Sequence, residues 1–188
     1  MDKTSPQLLI IFGASGDLTE RKLMPALFNL YQEKHLPKKF AVLGISRSDA
    51  DDASFREEAV LKNKHIPETI KNHGLRKSFA ELVFYYDLGD SYDMDYSALR
   101  ERIEQLNHDQ KTGGNLIFYL STPPSLYETI ARNLNTAGLT KENGGWTRLI
   151  VEKPFGYDLA SAHQLNLNLQ KYLHESQIYR IDHYLGKE

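Results

Sequence analysis

The sequence contains no cysteine. That absence excludes disulfide staples, cysteine-ligated metal and thiol catalysis together, and it permits a reducing compartment, so a cytoplasmic location is expected. There is also no surplus of charge. With 23 Lys and Arg against 25 Asp and Glu, the formal net charge is −2, and the basic residues are interspersed with acids. Such a chain has no global attraction to nucleic acid, and no nucleic-acid partner is expected. Long apolar runs are missing too. The N-terminal Met-Asp-Lys-Thr-Ser-Pro passes straight into Leu8 to Phe12, which is far too short to cross a membrane, so neither signal nor anchor is expected. Internal repeats, low-complexity tracts and an obvious linker before about residue 175 are likewise absent. What remains is a chain of 188 residues, 40% hydrophobic and 26% charged. This suits one soluble domain able to bury about 70% of its unfolded surface.

Short apolar runs recur at Leu8 to Phe12, Ala41 to Ile45, Leu82 to Tyr86, Leu116 to Leu120 and Leu149 to Val151. Continuous hydrophobicity, as opposed to alternation, predicts strands buried on both faces of a parallel sheet. Helical stripes separate them. Leu23, Leu27, Leu30 and Tyr31 form one, Leu99, Ile103 and Leu106 another, and Tyr127, Ile130, Ala131 and Leu134 a third that stops near Gly138. Asp158 is a suitable N-cap for a fourth, through Ala162, Leu165, Leu169 and Leu173. Residues 49–79 are expected to hold two helices whose ends Pro67 and Gly74 obscure. Pro25 requires the first helix either to start near Met24 or to kink there. The alternation predicts an α/β fold: Rossmann-like, doubly wound, with a mainly parallel sheet and helices on both faces.

The segment Gly13-Ala14-Ser15-Gly16-Asp17-Leu18 follows the first strand. Small residues there let backbone N–H groups approach a pyrophosphate, whose charge the following helix N-terminus favours. The full GxGxxG pattern is not present, and a tight strand-to-helix turn would use the same residues. The second strand ends in Ser46-Arg47-Ser48. An acid at this place holds ribose hydroxyls in NAD-binding domains, whereas a guanidinium between hydroxyls suits a 2′-phosphate, so NADP is the expected cofactor.

Glu152-Lys153-Pro154-Phe155-Gly156 lies where the fifth strand reaches its carboxyl end, the edge along which open α/β sheets bind ligands. Lys153 is therefore aimed at the cofactor crevice, unless this is an ordinary turn with an exposed lysine. Pro154 is a candidate for a cis peptide. Near the C-terminus, Asp182, His183, Tyr184 and Lys187 crowd together. His183, Tyr184 and Lys187 can donate to a dianionic phosphate, with Gly186 allowing a bend, and Asp182 can orient a histidine acting as general base. Adjacent residues rarely complete a zinc shell, so no metal is expected.

Taken in order, Gly13 to Leu23, Glu152 to Gly156 and Arg180-Ile-Asp-His-Tyr-Leu-Gly-Lys-Glu188 resemble successive signatures of the glucose-6-phosphate dehydrogenase family. The final nonapeptide is highly specific, whereas Glu-Lys-Pro occurs in other sugar dehydrogenases as well. The resemblance implies oxidation of glucose 6-phosphate at C1 to 6-phosphogluconolactone, with hydride passing to NADP, the first step of the oxidative pentose phosphate pathway. It places Gly13, Ala14, Ser15, Gly16, Asp17 and Leu18 around the cofactor phosphates, Arg47 at the 2′-phosphate, and Tyr119 beside the cofactor. Lys153 would serve cofactor, substrate and catalysis. His183, Tyr184 and Lys187, with Lys22 nearby, would hold the sugar phosphate, and Asp182 would pair with the catalytic base.

The same resemblance implies a cofactor domain over residues 1–176. Residues 177–188 would then begin the substrate site and lead into a C-terminal domain that carries the catalytic histidine and a homodimer or homotetramer interface. The 188-residue chain alone is expected to be close to inactive. Two other readings stand beside this one: a free-standing NADP-binding module without turnover, and a different sugar dehydrogenase that uses Lys153 as its acid/base.

Overall fold

The computed structural model describes residues 4–67 and 73–181. Six strands, β1 (Gln7–Phe12), β2 (Phe40–Ser46), β3 (Val83–Asp87), β4 (Leu116–Leu120), β5 (Thr147–Glu152) and β6 (Ile178–Ile181), form one sheet. Their order is β3-β2-β1-β4-β5-β6 and every pairing is parallel. β1 sits at the centre, and the chain winds outward from it in one direction to β3 and then in the other to β6. This is the doubly wound topology, with its switch point at the carboxyl ends of β1 and β4.

Alternate residues of β1 serve two cores. Leu8, Ile10 and Phe12 pack with α4 (Ser97–Gln110), α5 (Tyr127–Thr136) and Leu169 of α6 (Leu159–Gln170). Leu9 and Ile11 pack on the opposite face with α1 (Met24–Gln32), α2 (Asp52–Arg56) and α3 (His73–Ala80). The β1 residues are buried on both sides, as continuous hydrophobicity predicts. β5 departs from that pattern. Thr147, Leu149 and Val151 are buried, while Arg148, Ile150 and Glu152 on the other face are only partly covered.

The predicted helices appear, with one residue of the first stripe, Leu30, turned outward. A π-helical turn, Thr19–Leu23, precedes α1 and runs into it, so Pro25, which has no N–H to give, sits inside a continuous helix directly after the widened turn. Met24 and Phe28 are its fully buried pair, Leu23, Leu27 and Tyr31 of the expected stripe pack at the margin of the same core, and Leu30 is 40% exposed. Asp51 and Asp158 cap α2 and α6 through Ser54 and Ser161, each in a reciprocal box. Gly138, at φ +76°, ends the turn after α5.

The outer edge of β3 is closed by side chains. Asp52 accepts the Tyr85 amide at 2.7 Å, and Arg56 Nε donates to the Val83 carbonyl at 2.6 Å. Arg102 of α4 reaches round the edge to Asp52 at 2.9 Å, and both guanidinium groups lie over the Phe84 ring. Groups that would otherwise invite another strand are thereby occupied.

Candidate cofactor-binding site

β1 delivers the chain to the switch point, and the turn that follows is built from main-chain contacts. Gly13 and Ala14 both donate to the Ile45 carbonyl, at 2.9 and 3.0 Å, and Gly16 donates back to Gly13 at 3.0 Å. The turn is thereby fixed to β2. The two glycines have different tasks. Gly13 adopts φ +83°, and a Cβ there would lie 2.2 Å from the Ser121 carbonyl oxygen at the exit of β4. It permits close packing of two strand ends. A Cβ on Gly16 would meet only the Gly13 carbonyl, at 3.1 Å, so its outer side is open to a ligand.

Thr19, fully buried, braces the turn from beneath by donating to the Gly13 carbonyl at 3.3 Å, with Ser121 Oγ 3.4 Å away. Among the described residues no main-chain carbonyl accepts from the amides of Asp17 and Leu18. Free amides at a helix start, beside a glycine with open space, have the chemistry to cradle an anion.

The carboxyl end of β2 closes the second wall. Ser15 and Ser48 come within 3.2 Å through their hydroxyls, joining the β1 turn to the β2 loop. Ser15, Ser46, Arg47, Ser48, Asp90 and Tyr92 line a cleft of about 350 Å³. Arg47 is exposed, with its guanidinium carbon 5.4 Å from the centroid of the Tyr92 ring. Burial pushes the Tyr92 phenol up, and the Arg47 charge opposes that shift. A cation on a buried aromatic face between hydroxyls can take a phosphate monoester.

On the other side of the switch point, Tyr119 of β4 donates its phenol to the Glu152 carboxylate at the end of β5. Burial and that carboxylate both raise the Tyr119 pKa. Tyr127 donates to the Glu152 main-chain carbonyl at 3.1 Å, so residue 152 is held by two phenols. Lys153 follows directly, exposed beyond the strand, with its amide donating to Ile181 of β6 at 3.4 Å and a cis bond to Pro154.

Ser15 of the turn and Arg47 therefore line one cleft, and Tyr119 and Lys153 stand towards the carboxyl ends of the next two strands. Lys22 is exposed on the π-helical turn. Asp182, His183, Tyr184 and Lys187 lie outside the described residues. Sequence reasoning gave no individual role to Tyr85, Asp90, Tyr92, Thr19, Ser121 or Glu152. Asp90 and Tyr92 follow β3, whose place beside β2 emerges only from the strand order. Among the described residues there is no trio of His, Asp or Glu placed to hold a metal, and no helix long and apolar enough to cross a membrane.

A central β1, a small-residue turn under a helix start and a ligand cleft at the reversal of strand order define a dinucleotide-binding domain of the Rossmann class. Comparison with known proteins refines this. The family profile described as glucose-6-phosphate dehydrogenase, NAD binding domain, matches residues 10–188, and the chain belongs to that family. A glucose-6-phosphate 1-dehydrogenase of Aggregatibacter actinomycetemcomitans is 47% identical over 184 residues, covering 96% of this chain and 36% of that protein. One from Treponema pallidum is 41% identical over 185 residues, covering 98% of this chain and 36% of the relative. A solved glucose-6-phosphate dehydrogenase in complex with its substrate glucose-6-phosphate superposes with a TM-score of 0.85 at 35% identity, over 100% of this chain and 38% of that one. The chain thus spans little more than a third of the length of these relatives.

Proposed function

We propose that this chain is the NADP-binding part of a glucose-6-phosphate dehydrogenase acting in a reducing, cytoplasmic setting. The parent enzyme oxidises glucose 6-phosphate at C1 to 6-phosphogluconolactone, opening the oxidative pentose phosphate pathway. One observation carries the choice of NADP. The end of β2, where an acid would hold ribose hydroxyls, presents Arg47 over Tyr92 between Ser46, Ser48 and Ser15. Bound NADP would supply the hydride acceptor. The chain's own residues bind and orient it. The amides of the Gly13 to Leu18 turn receive the pyrophosphate, and Arg47 the 2′-phosphate. Tyr119 and Lys153 stand on the nicotinamide side, where the Lys153 ammonium can donate to a sugar hydroxyl.

In this reading the sugar phosphate is met by His183, Tyr184 and Lys187, with Lys22 adding positive charge. Asp182 pairs with a base supplied by the part of the enzyme beyond this region, which also carries the homodimer or homotetramer interface. A general base contributes about 10²–10⁴-fold, so the chain by itself binds cofactor and turns over little.

The test is calorimetric titration of the chain with NADP and NAD, before and after Arg47→Ala. Loss of charge-assisted bonds should weaken NADP binding by about 1.5–3 kcal/mol and leave NAD nearly unchanged. Equal losses for both cofactors would show that Arg47 supports the fold instead.

A further inference from the structure

The loop that carries Arg47 is held by a closed ring of hydrogen bonds whose direction follows from the inventory of protons. Tyr85 Oη lies 2.6 Å from the Ser48 carbonyl oxygen, which can only accept, so the single phenolic proton is committed there. The same Oη lies 2.6 Å from Ser46 Oγ. With its proton already used, Tyr85 accepts at this contact and Ser46 donates. Ser46 Oγ in turn accepts the Ser48 amide at 3.3 Å. The cycle therefore runs from the Ser48 amide to Ser46, from Ser46 to Tyr85, and from Tyr85 to the Ser48 carbonyl.

Both polar groups of the Ser48 main chain are engaged, one on each side of the residue, and Arg47 is the link between the two serines. The post is itself rigid. Tyr85 is 5% exposed and Ser46 2%. The Tyr85 ring packs at 4.9 Å against that of Phe55, and its amide is taken by Asp52. Leu88 N–H holds the Ser46 carbonyl at 2.8 Å. An exposed arginine on an otherwise solvated loop would sample many positions and lose that freedom on binding.

We infer that Tyr85 is a positioning residue for cofactor discrimination: through its hydroxyl it presets the Ser46–Ser48 turn so that Arg47 and the Ser48 hydroxyl meet a 2′-phosphate already in place. This rests on the NADP reading of the Arg47 cleft. A group on the third strand, outside the lining of the Arg47 cleft, thereby selects between two cofactors that differ by one phosphate.

The experiment is titration of the chain with NADP and with NAD for Tyr85→Phe, Ser46→Ala, the double variant and Arg47→Ala. Tyr85→Phe keeps the ring that packs on Phe55 and removes only the hydroxyl. It should weaken NADP binding about 5–20-fold, the range for losing one or two neutral hydrogen bonds. NAD affinity should change less than about twofold. Because the ring is broken by either single change, the double variant should lose no more than the larger single loss.

A loss shared equally by both cofactors, or additive losses in the double variant, would reduce Tyr85 to a structural residue and overturn the inference. So would unchanged NADP binding in Tyr85→Phe while Arg47→Ala still discriminates. If Arg47→Ala itself fails to discriminate, the placement of the 2′-phosphate is wrong, and the inference falls with it for that separate reason. Thermal unfolding of each unliganded variant, expected within a few degrees of the parent, removes misfolding as an explanation.

Discussion

Gly13→Ala is the most searching test of how the switch point is built. The added methyl would sit 2.2 Å from the Ser121 carbonyl oxygen, inside any permitted contact, on a residue already at φ +83°. The left-handed conformation alone costs a residue with a Cβ about 1–2 kcal/mol. Relief of the clash must move main chain at the exit of β4. That strains the Ser121 amide bond to Phe12, 2.9 Å long, and the Thr19 brace beneath, at about 1 kcal/mol each. Reduced freedom of the unfolded chain returns only about 0.4–1 kcal/mol. The net loss is roughly 2–4 kcal/mol, which for a domain of this size lowers Tm by about 5–15 °C.

Gly16→Ala provides the internal control. Its Cβ meets one oxygen at 3.1 Å without a left-handed backbone, so Tm should move by only a few degrees while cofactor binding weakens. Differential scanning calorimetry of the two variants decides the matter. A Gly13→Ala protein that melts within about 2 °C of the parent would refute the claim that Gly13 exists for strand packing.

Most of the architecture was legible in the sequence because the physics that sets it is local. Five apolar runs lie within a residue or two of the five strands they foretell, and Asp158 and Gly138 mark helix ends through their own backbone chemistry. On the first helix Leu23, Leu27 and Tyr31 meet the core as the stripe predicts, while Leu30, at its margin, is 40% exposed, because periodicity marks a face and not how far the neighbouring layer covers it.

The placement of the candidate site was legible on its near side. Gly16 and Arg47 can be found by counting from strand ends, and the structure puts their turns within hydroxyl contact of each other. Tyr85, Tyr92 and Glu152 were not, since each acquires its role from a neighbour distant in sequence. Tyr85 reaches Ser46 across 39 positions and Tyr119 reaches Glu152 across 33, through strand order that no local pattern encodes.

Two further outcomes follow from particular contacts. Arg56→Ala removes the donor to the Val83 carbonyl and a guanidinium from the Phe84 ring, so it should lower stability by about 1–2 kcal/mol. It should also promote self-association at the bared β3 edge, read by light scattering during thermal unfolding; a variant that scatters no more than the parent would show that Asp52 and Arg102 suffice to close it. The last concerns pH and the anchoring of β6. Arg180 on β6 meets Glu175 at 2.6 Å, and this pairing, with Gln170 assisting, holds the Glu175 carboxyl at about 2 against an ordinary value of 4.5. The folded value is the lower one, so the folded protein binds the proton less readily than the unfolded chain. The stabilisation is complete above about pH 4.5 and drains away as pH falls through about 2. Glu175 is 57% exposed, so solvent screening leaves about 0.5–1 kcal/mol of it. Glu175→Gln should therefore be less stable than the parent in denaturant unfolding at pH 6. The gap should narrow steadily between pH 4.5 and 2. A gap that stays the same across that pH range would mean that Glu175 acts by packing and neutral hydrogen bonds, and the ionic account of how β6 is tied down would be wrong.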